Sequence, residues 1–409
     1  MDQKNIIIEL GPMGPIGEQD ALILRVNRNC PWNRCLFCSV YKDKKFSIRN
    51  KDDVKKDIDA VAYIQSELEK ISWEMGTNGR INGETIRETL RRYPAVFGRF
   101  PHEMSPEQAH AVNSLGAVAS WLLHGAKRVF LQDADALITK TDELAEIILY
   151  LKEAFPSIDI VSSYARSKTC RNKSSGELAV LKAAGLNWCY VGIESGSDDV
   201  LTYMKKGVTR KEHIEGGKRF MESGISMAAF IMPGLGGGEA LFAKRHIEDT
   251  ISVLNEIRPS EVRIRSLAVH EASPLYDSWL SGDFHVPTDD LMIEELCLLI
   301  HGLDFDCIFE TLQMTNPLFA VRGRFSELKE DMCQSIEEYR VLNADERARF
   351  IFKRYVDEGY LSFVRRWGKC DEELQRIIET ARISLKKGNC DAIEKVNRAV
   401  FAIKSKGVP

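Results

Sequence analysis

The sequence predicts an α/β fold: strands and helices alternating in a parallel β/α architecture, closed or partly closed as a barrel, with a helical insertion and a helical C-terminal region. Three observations predict it. Six short apolar runs, "ALILRV", "RVFLQD", "IDIVSSY", "CYVGIE", "SMAAFIM" and "VRIRSLAV", have the β-branched or aromatic character of buried strands. Segments with helical spacing lie between them, and after residue 283 the strand signal stops while helical stretches continue. In such barrels the chemistry sits at the carboxyl ends of the strands.

Taken in order, "ALILRV" leads directly into "NCPWNRCLFCSVY" at residues 29 to 41, which places three cysteines within nine positions. Residues 50 to 125 are too long for one crossover and read as a helical insertion near the mouth. Within it "KDDVKKDIDAVAYIQSELEKI" is one helix, and Ser105, Pro106 and Gln108 open another in the pattern of a capped start. After the second strand, "DELAEIILYLKEA" carries a Leu/Ile stripe with acids in its first turn. "SSGELAVLKAAGL" ends at a glycine, and "HIEDTISVLNEI" runs toward a proline. Beyond residue 283, "FSELKEDMCQSIEEYRVL" and "DEELQRIIETARISLKK" are helical. The expected domains are therefore 1–283, barrel with an insertion at about 50–125, and 284–409, helical.

Composition narrows the function less than it narrows the class. The 409 residues are 44% hydrophobic and 28% charged, so the chain can bury a large core. A formal charge of -4 gives no global attraction to nucleic acid or anionic membrane. The opening residues lack a cationic start followed by a long apolar run, and no later segment approaches 18 uninterrupted apolar residues, so a cytoplasmic protein is expected. There the ten cysteines would be reduced thiols. Seven of them, Cys170, Cys189, Cys297, Cys307, Cys333, Cys370 and Cys390, are scattered.

The other three, Cys30, Cys35 and Cys38, can converge on a soft metal centre, zinc or an iron-sulfur cluster. A structural zinc site closes its tetrahedron with a fourth Cys or His, and none lies nearby in the sequence. A four-iron cluster on three cysteines leaves one iron open. Here the chain resembles the radical S-adenosylmethionine (SAM) superfamily, whose signature has three residues between the first two cysteines, then two, with an aromatic before the third. Phe37 fills the aromatic position; "PWNR" puts four residues in the first gap.

The resemblance runs over roughly residues 20 to 280, and it implies a partial (β/α)6 TIM-like radical SAM barrel. "YVGIESGSDDVLTYMKKGVTR" is closely similar to the branch containing oxygen-independent coproporphyrinogen oxidases, methylthiotransferases and the elongator catalytic subunit. What it implies for residues is specific. Gln132, Asp133, Ala134 and Asp135 stand where the superfamily binds the methionine amino group, although the familiar Gly-Gly-Glu form is absent. Glu194 matches the residue that contacts SAM, usually at its ribose, and a carboxylate suits a vicinal diol or an ammonium group. Lys206 matches the basic residue that meets the methionine carboxylate, and Pro233 and Gly234 begin the turn used against adenine. Ser197 is expected to cap the next helix. Arg263 and Arg265, alternating with apolar neighbours, are candidates to point into the barrel.

The implied cofactors are a 4Fe-4S cluster and SAM, cleaved reductively to a 5'-deoxyadenosyl radical that takes hydrogen from a substrate, expected to be a small molecule. A reducing partner such as flavodoxin or ferredoxin is implied as well. Tyr164, Arg166, His270 and Glu271 are candidates to handle protons or substrate carboxylates. Two other functions stay open: an RNA-modifying enzyme, suggested by the basic runs "RETLRRYPAVFGRF", "RISLKKGN" and "IKSKG", and an iron-sulfur electron-transfer or scaffold protein without turnover.

Overall fold

The computed structural model describes residues 1, 5–12, 14–15, 17–368 and 371–406; Cys370 and Gly407 of the stretches above lie outside the described residues. The chain divides into two compact units. The first comprises Met1–Pro31, Lys44–Tyr190 and Glu222–Ser226; the second comprises Trp32–Asp43, Val191–Met221 and Met227–Pro409.

In the first unit, β1 (Leu22–Arg25) pairs in parallel with β4 (Arg128–Gln132), and β4 with β5 (Ile160–Ala165). A small antiparallel ladder, β2 (Asn27–Arg28) with β3 (Ser47–Ile48), follows β1. The expected insertion is mainly helical: α1 (Lys51–Glu74), α2 (Gly83–Arg92), α3 (Pro94–Phe97) and α4 (Pro106–Leu123), joined by turns. Ser105 and Gln108 form the expected capping box on α4, each side chain accepting the other's backbone N–H. α5 (Thr141–Ala154), α6 (Ser167–Asn172) and α7 (Ser175–Ala184) complete the unit; α1 packs on α4 and α5, and α5 on α7. β6 (Leu186–Glu194) carries the chain across the division between Tyr190 and Val191.

The second unit continues with α8 (Asp198–Tyr203), α9 (Arg210–Glu222), β7 (Ser226–Ile231), α10 (Ala240–Ile257) and β8 (Glu261–Ile264). β7 and β8 pair in parallel, as the alternation predicts. Then come α11 (Pro274–Leu280) and α12 (Asp289–Gly302), the latter packed on α10. Here the sequence reading needs correction. The region after 283 contains β9 (Ile308–Glu310), parallel to β8, and β10 (Arg322–Arg324), antiparallel to β9. At three residues each they are too short to stand out as apolar runs. β9 also brings a buried acid to β8: Arg263, almost wholly buried, donates to Glu310 at 2.6 Å and lies 3.8 Å from buried Glu261. Arg265, past the end of β8, is exposed.

Helices dominate the remainder: α13 (Phe325–Arg340), α14 (Ala344–Phe352), a π-helical turn over Lys353–Tyr360, α15 (Leu361–Trp367), α16 (Glu372–Lys387) and α17 (Ala392–Ser405). The α/β class, with parallel strands and many helices, is as predicted. No helix among the described residues is long and apolar enough to cross a membrane.

Candidate active site

In the first unit, the carboxyl end of β4 is stapled to the segment that leads into the cysteine loop. Asp133 is buried, and its carboxylate accepts from Arg25 Nε at 2.9 Å, Arg25 Nη2 at 2.6 Å and the Asn29 N–H at 2.7 Å. Asn27 adds two bonds, donating to the Asp135 carbonyl at 2.8 Å and accepting from the Asp133 N–H at 3.1 Å. These contacts position Asn29, which turns through φ 67° immediately before Cys30. Gln132 is buried beside Asp133, and Ala134 is half-buried.

Asp135 differs from Asp133. One of its oxygens accepts from the Thr169 hydroxyl at 2.5 Å, and the other is buried with no hydrogen-bond partner in the structure. Burial pushes its carboxyl up to about 6, against the lowering effect of Thr169 and of Arg166. Arg166 stands at the start of α6, so the ends of β4 and β5 meet at this acid. Tyr164, two residues earlier, lies edge-on to Phe130 with centroids 4.9 Å apart.

The second unit holds the rest of the cysteine loop. Asn33, at φ 48°, turns the long first gap left-handed and donates to the Tyr41 carbonyl. Lys42 Nζ clamps the Asn33 and Cys35 carbonyls at 3.1 and 2.9 Å, and the Cys38 N–H reaches the Cys35 carbonyl at 3.4 Å. The loop sits on the "MKKG" turn. Trp32 Nε1 donates to the Lys205 carbonyl at 2.6 Å, and the Leu36 N–H donates to the Met204 carbonyl at 3.0 Å. Gly207, at φ 70°, is required: a Cβ there would fall 2.2 Å from the Trp32 ring. Leu36 and Phe37 pack on an apolar cluster that includes Val200, Met204, Met232 and Leu267.

That turn also aims Lys206. Its ammonium lies 3.3 Å from a Glu194 oxygen and 5.5 Å from the centroid of Phe37. Glu194, at φ 65°, ends β6, and its carbonyl accepts the Met232 N–H at 3.1 Å. So three sequence-predicted residues, Phe37, Glu194 and Lys206, come together. Pro233 and Gly234 follow Met232; the Pro233 carbonyl accepts the Leu267 N–H at 2.8 Å, and the Gly234 N–H donates to buried Glu295. Ser197 occupies the start of α8 without capping it by its side chain. Ser195, two residues earlier, accepts the Ser197 N–H instead and bonds His246 Nδ1 at 2.8 Å. His270 Nδ1 accepts from the Ala272 N–H at 2.9 Å, while Glu271 is exposed and its backbone N–H bonds the Ser405 carbonyl.

Three contributors were missed in the sequence: Arg25, Trp32 as the partner of Gly207, and Glu295. Arg25 did leave a signal, a charge inside the otherwise apolar run "ALILRV", whereas Glu295 stands beside a second acid, Glu294, and is not marked out. Among the described residues, no group of three or more His, Cys, Asp or Glu side chains is already gathered so as to hold a metal ion.

No protein-family model matches the chain. The chain is 23% identical over 129 residues to the tRNA uridine(34) acetyltransferase of Methanocaldococcus jannaschii, a match covering 32% of this chain and 23% of that protein. The match therefore spans less than a quarter of that relative's length. Among solved structures the chain is similar to the archaeal Elp3 of Methanocaldococcus infernus with an N-terminal deletion, at 17% identity over 53% of this chain and 55% of that one, TM-score 0.39. It is also similar to coproporphyrinogen III oxidase (HemN) of Escherichia coli, described as a radical SAM enzyme, at 10% identity over 94% and 89%, TM-score 0.35.

Proposed function

We propose that this chain is a radical SAM enzyme acting on a small-molecule substrate in a reducing, cytoplasmic setting. One observation carries the proposal: the loop bearing Cys35 and Cys38 is seated, through Trp32, Leu36 and Phe37, on the turn that presents Lys206 to Glu194. A thiol-bearing loop and an ion pair able to take an amino acid are thus built as one piece.

The donor set fits the implied group. Cys30, Cys35 and Cys38 are half-buried thiols on a short loop, the ligand number that leaves a 4Fe-4S cluster one open iron. Their gathering is expected to accompany cluster binding, since ligand convergence and local folding are linked at metal sites. When bound, the cluster, given an electron by an external reductant, would supply reductive one-electron chemistry on SAM that ends in hydrogen abstraction from the substrate. The protein's own residues bind and orient. Lys206 offers an ammonium to the methionine carboxylate, and Glu194 offers two acceptor oxygens to a diol or an ammonium. Asp135, with one oxygen uncommitted, is suited to accept the methionine ammonium; Asp133, committed to Arg25, holds the loop instead. Tyr164 and Arg166 remain proposed for the substrate side, as do His270 and Glu271.

Anaerobic reconstitution with iron and sulfide, followed by dithionite and SAM, tests the reading. The expected result is 5'-deoxyadenosine with methionine; failure to bind iron and sulfide, with one tight zinc instead, overturns it. A second reading, RNA modification, is favoured by the tRNA-directed name of the matched relative. RNA binding that weakens steeply with salt would support it.

A further inference from the structure

We propose that Glu295 is a positioning residue: it fixes the backbone of the glycine turn after β7 in the form that receives the nucleoside of SAM. The inference rests on the radical SAM reading. Glu295 lies on α12 with about 1% of its surface exposed, and one carboxyl oxygen accepts the N–H of Gly234. The turn has no slack at that point. Gly234 adopts φ 87°, and a Cβ on it would lie 2.9 Å from both Met292 Sδ and Pro287 Cγ. The neighbouring residues are fastened as well: Leu267 N–H to the Pro233 carbonyl at 2.8 Å, Gly237 N–H to the Gly234 carbonyl at 3.0 Å, and Gly238 N–H to the His285 carbonyl at 2.8 Å. The Gly234 N–H is thus held by a side chain 61 residues away rather than by a neighbour in the turn.

An acid in this place needs a reason. Its second oxygen is buried with no hydrogen-bond partner in the structure, so the site is costly for a carboxyl and would suit an apolar side chain better by burial alone. What an apolar side chain lacks is an acceptor for Gly234. Burial accordingly pushes the acid up to about 8 and keeps it neutral at pH 7, so it can hold the amide without placing a charge beside the turn.

The test uses the full chain, reconstituted anaerobically, with wild type, E295Q and E295L compared by equilibrium binding of SAM and of methionine alone. Glutamine keeps the acceptor; leucine removes it. E295L is expected to bind SAM at least about tenfold more weakly, with methionine binding unchanged and E295Q within about threefold of wild type. Hydrogen exchange supplies the second readout: faster exchange in E295L confined to residues 232–238, with α12 still protected, supports the inference. Equal SAM affinity in E295L and wild type overturns it, and so does loss of protection throughout the unit, which would make Glu295 a plain core residue. Absence of SAM binding by the wild type overturns the radical SAM reading itself, a different result from equal affinities.

Discussion

Asp133 and Asp135 lie two positions apart and do opposite work. The first is consumed by Arg25, whose side chain is only 14% exposed, so its removal strands a half-buried guanidinium. D133A is expected to destabilise the fold by about 2 kcal/mol, less than a fully stranded pair because Glu9 stays 3.3 Å from Arg25; urea unfolding measures it. D135N keeps the shape and removes the free oxygen proposed for the methionine ammonium. Its expected signature is weaker methionine binding with stability at pH 7 preserved or raised. Gly207 offers a third test at this scale. G207A meets the Trp32 ring and a left-handed φ together, so the cysteine loop should lift while the rest of the fold stays. The readout is the iron and sulfide content after reconstitution, expected to fall severalfold with an unchanged far-ultraviolet spectrum; full cluster content would show that the loop is seated by other contacts.

The glycine turn and α12 act as one element through Glu295, and this coupling has a pH dependence whose sign follows from burial. The ordinary glutamate value is 4.5 and the folded value is about 8. Across that window the native state keeps a proton that the unfolded chain has released, so stability falls as pH rises and levels off above about 8. Calorimetric unfolding should therefore show E295Q gaining on wild type as pH rises from 5 to 8; a constant difference would refute the buried acid. His246 on α10 works in the other direction. Burial lowers it from 6.5 to about 4, so its contribution is lost as pH falls through that range, where the unfolded chain takes up the proton first. Its Nδ1 contact with Ser195 places this acid sensitivity just after Glu194.

For the molecule as a whole, the competing functions differ in what must be bound. A small-molecule enzyme is expected to form 5'-deoxyadenosine with SAM and reductant, and to bind RNA weakly and without steep salt dependence. C30A, C35A and C38A should each abolish cluster assembly, whereas C390A, at an exposed position, should leave it intact; equal iron content in all four variants would remove the cysteine loop from the proposal.

The sequence by itself determined the alternation of strands and helices, the helical character of residues 50 to 125 and the position of the thiol-bearing loop. Each is written locally: short apolar runs, helical spacing of 3.6, a capping pair three residues apart, three cysteines in nine positions. β9 escaped that reading because three residues are too few to stand out as an apolar run, and its pairing with β8 and the buried Arg263–Glu310 ion pair exist only once the chain has closed. Only the tertiary structure decided which aspartate of "DAD" is spent on Arg25 and which keeps an oxygen open. It alone also joined Trp32 to a carbonyl 173 residues away, and Gly234 to an acid 61 residues away. Such pairings follow from long-range closure of the chain, where burial makes each polar group find a partner, and no local pattern encodes which partner that is.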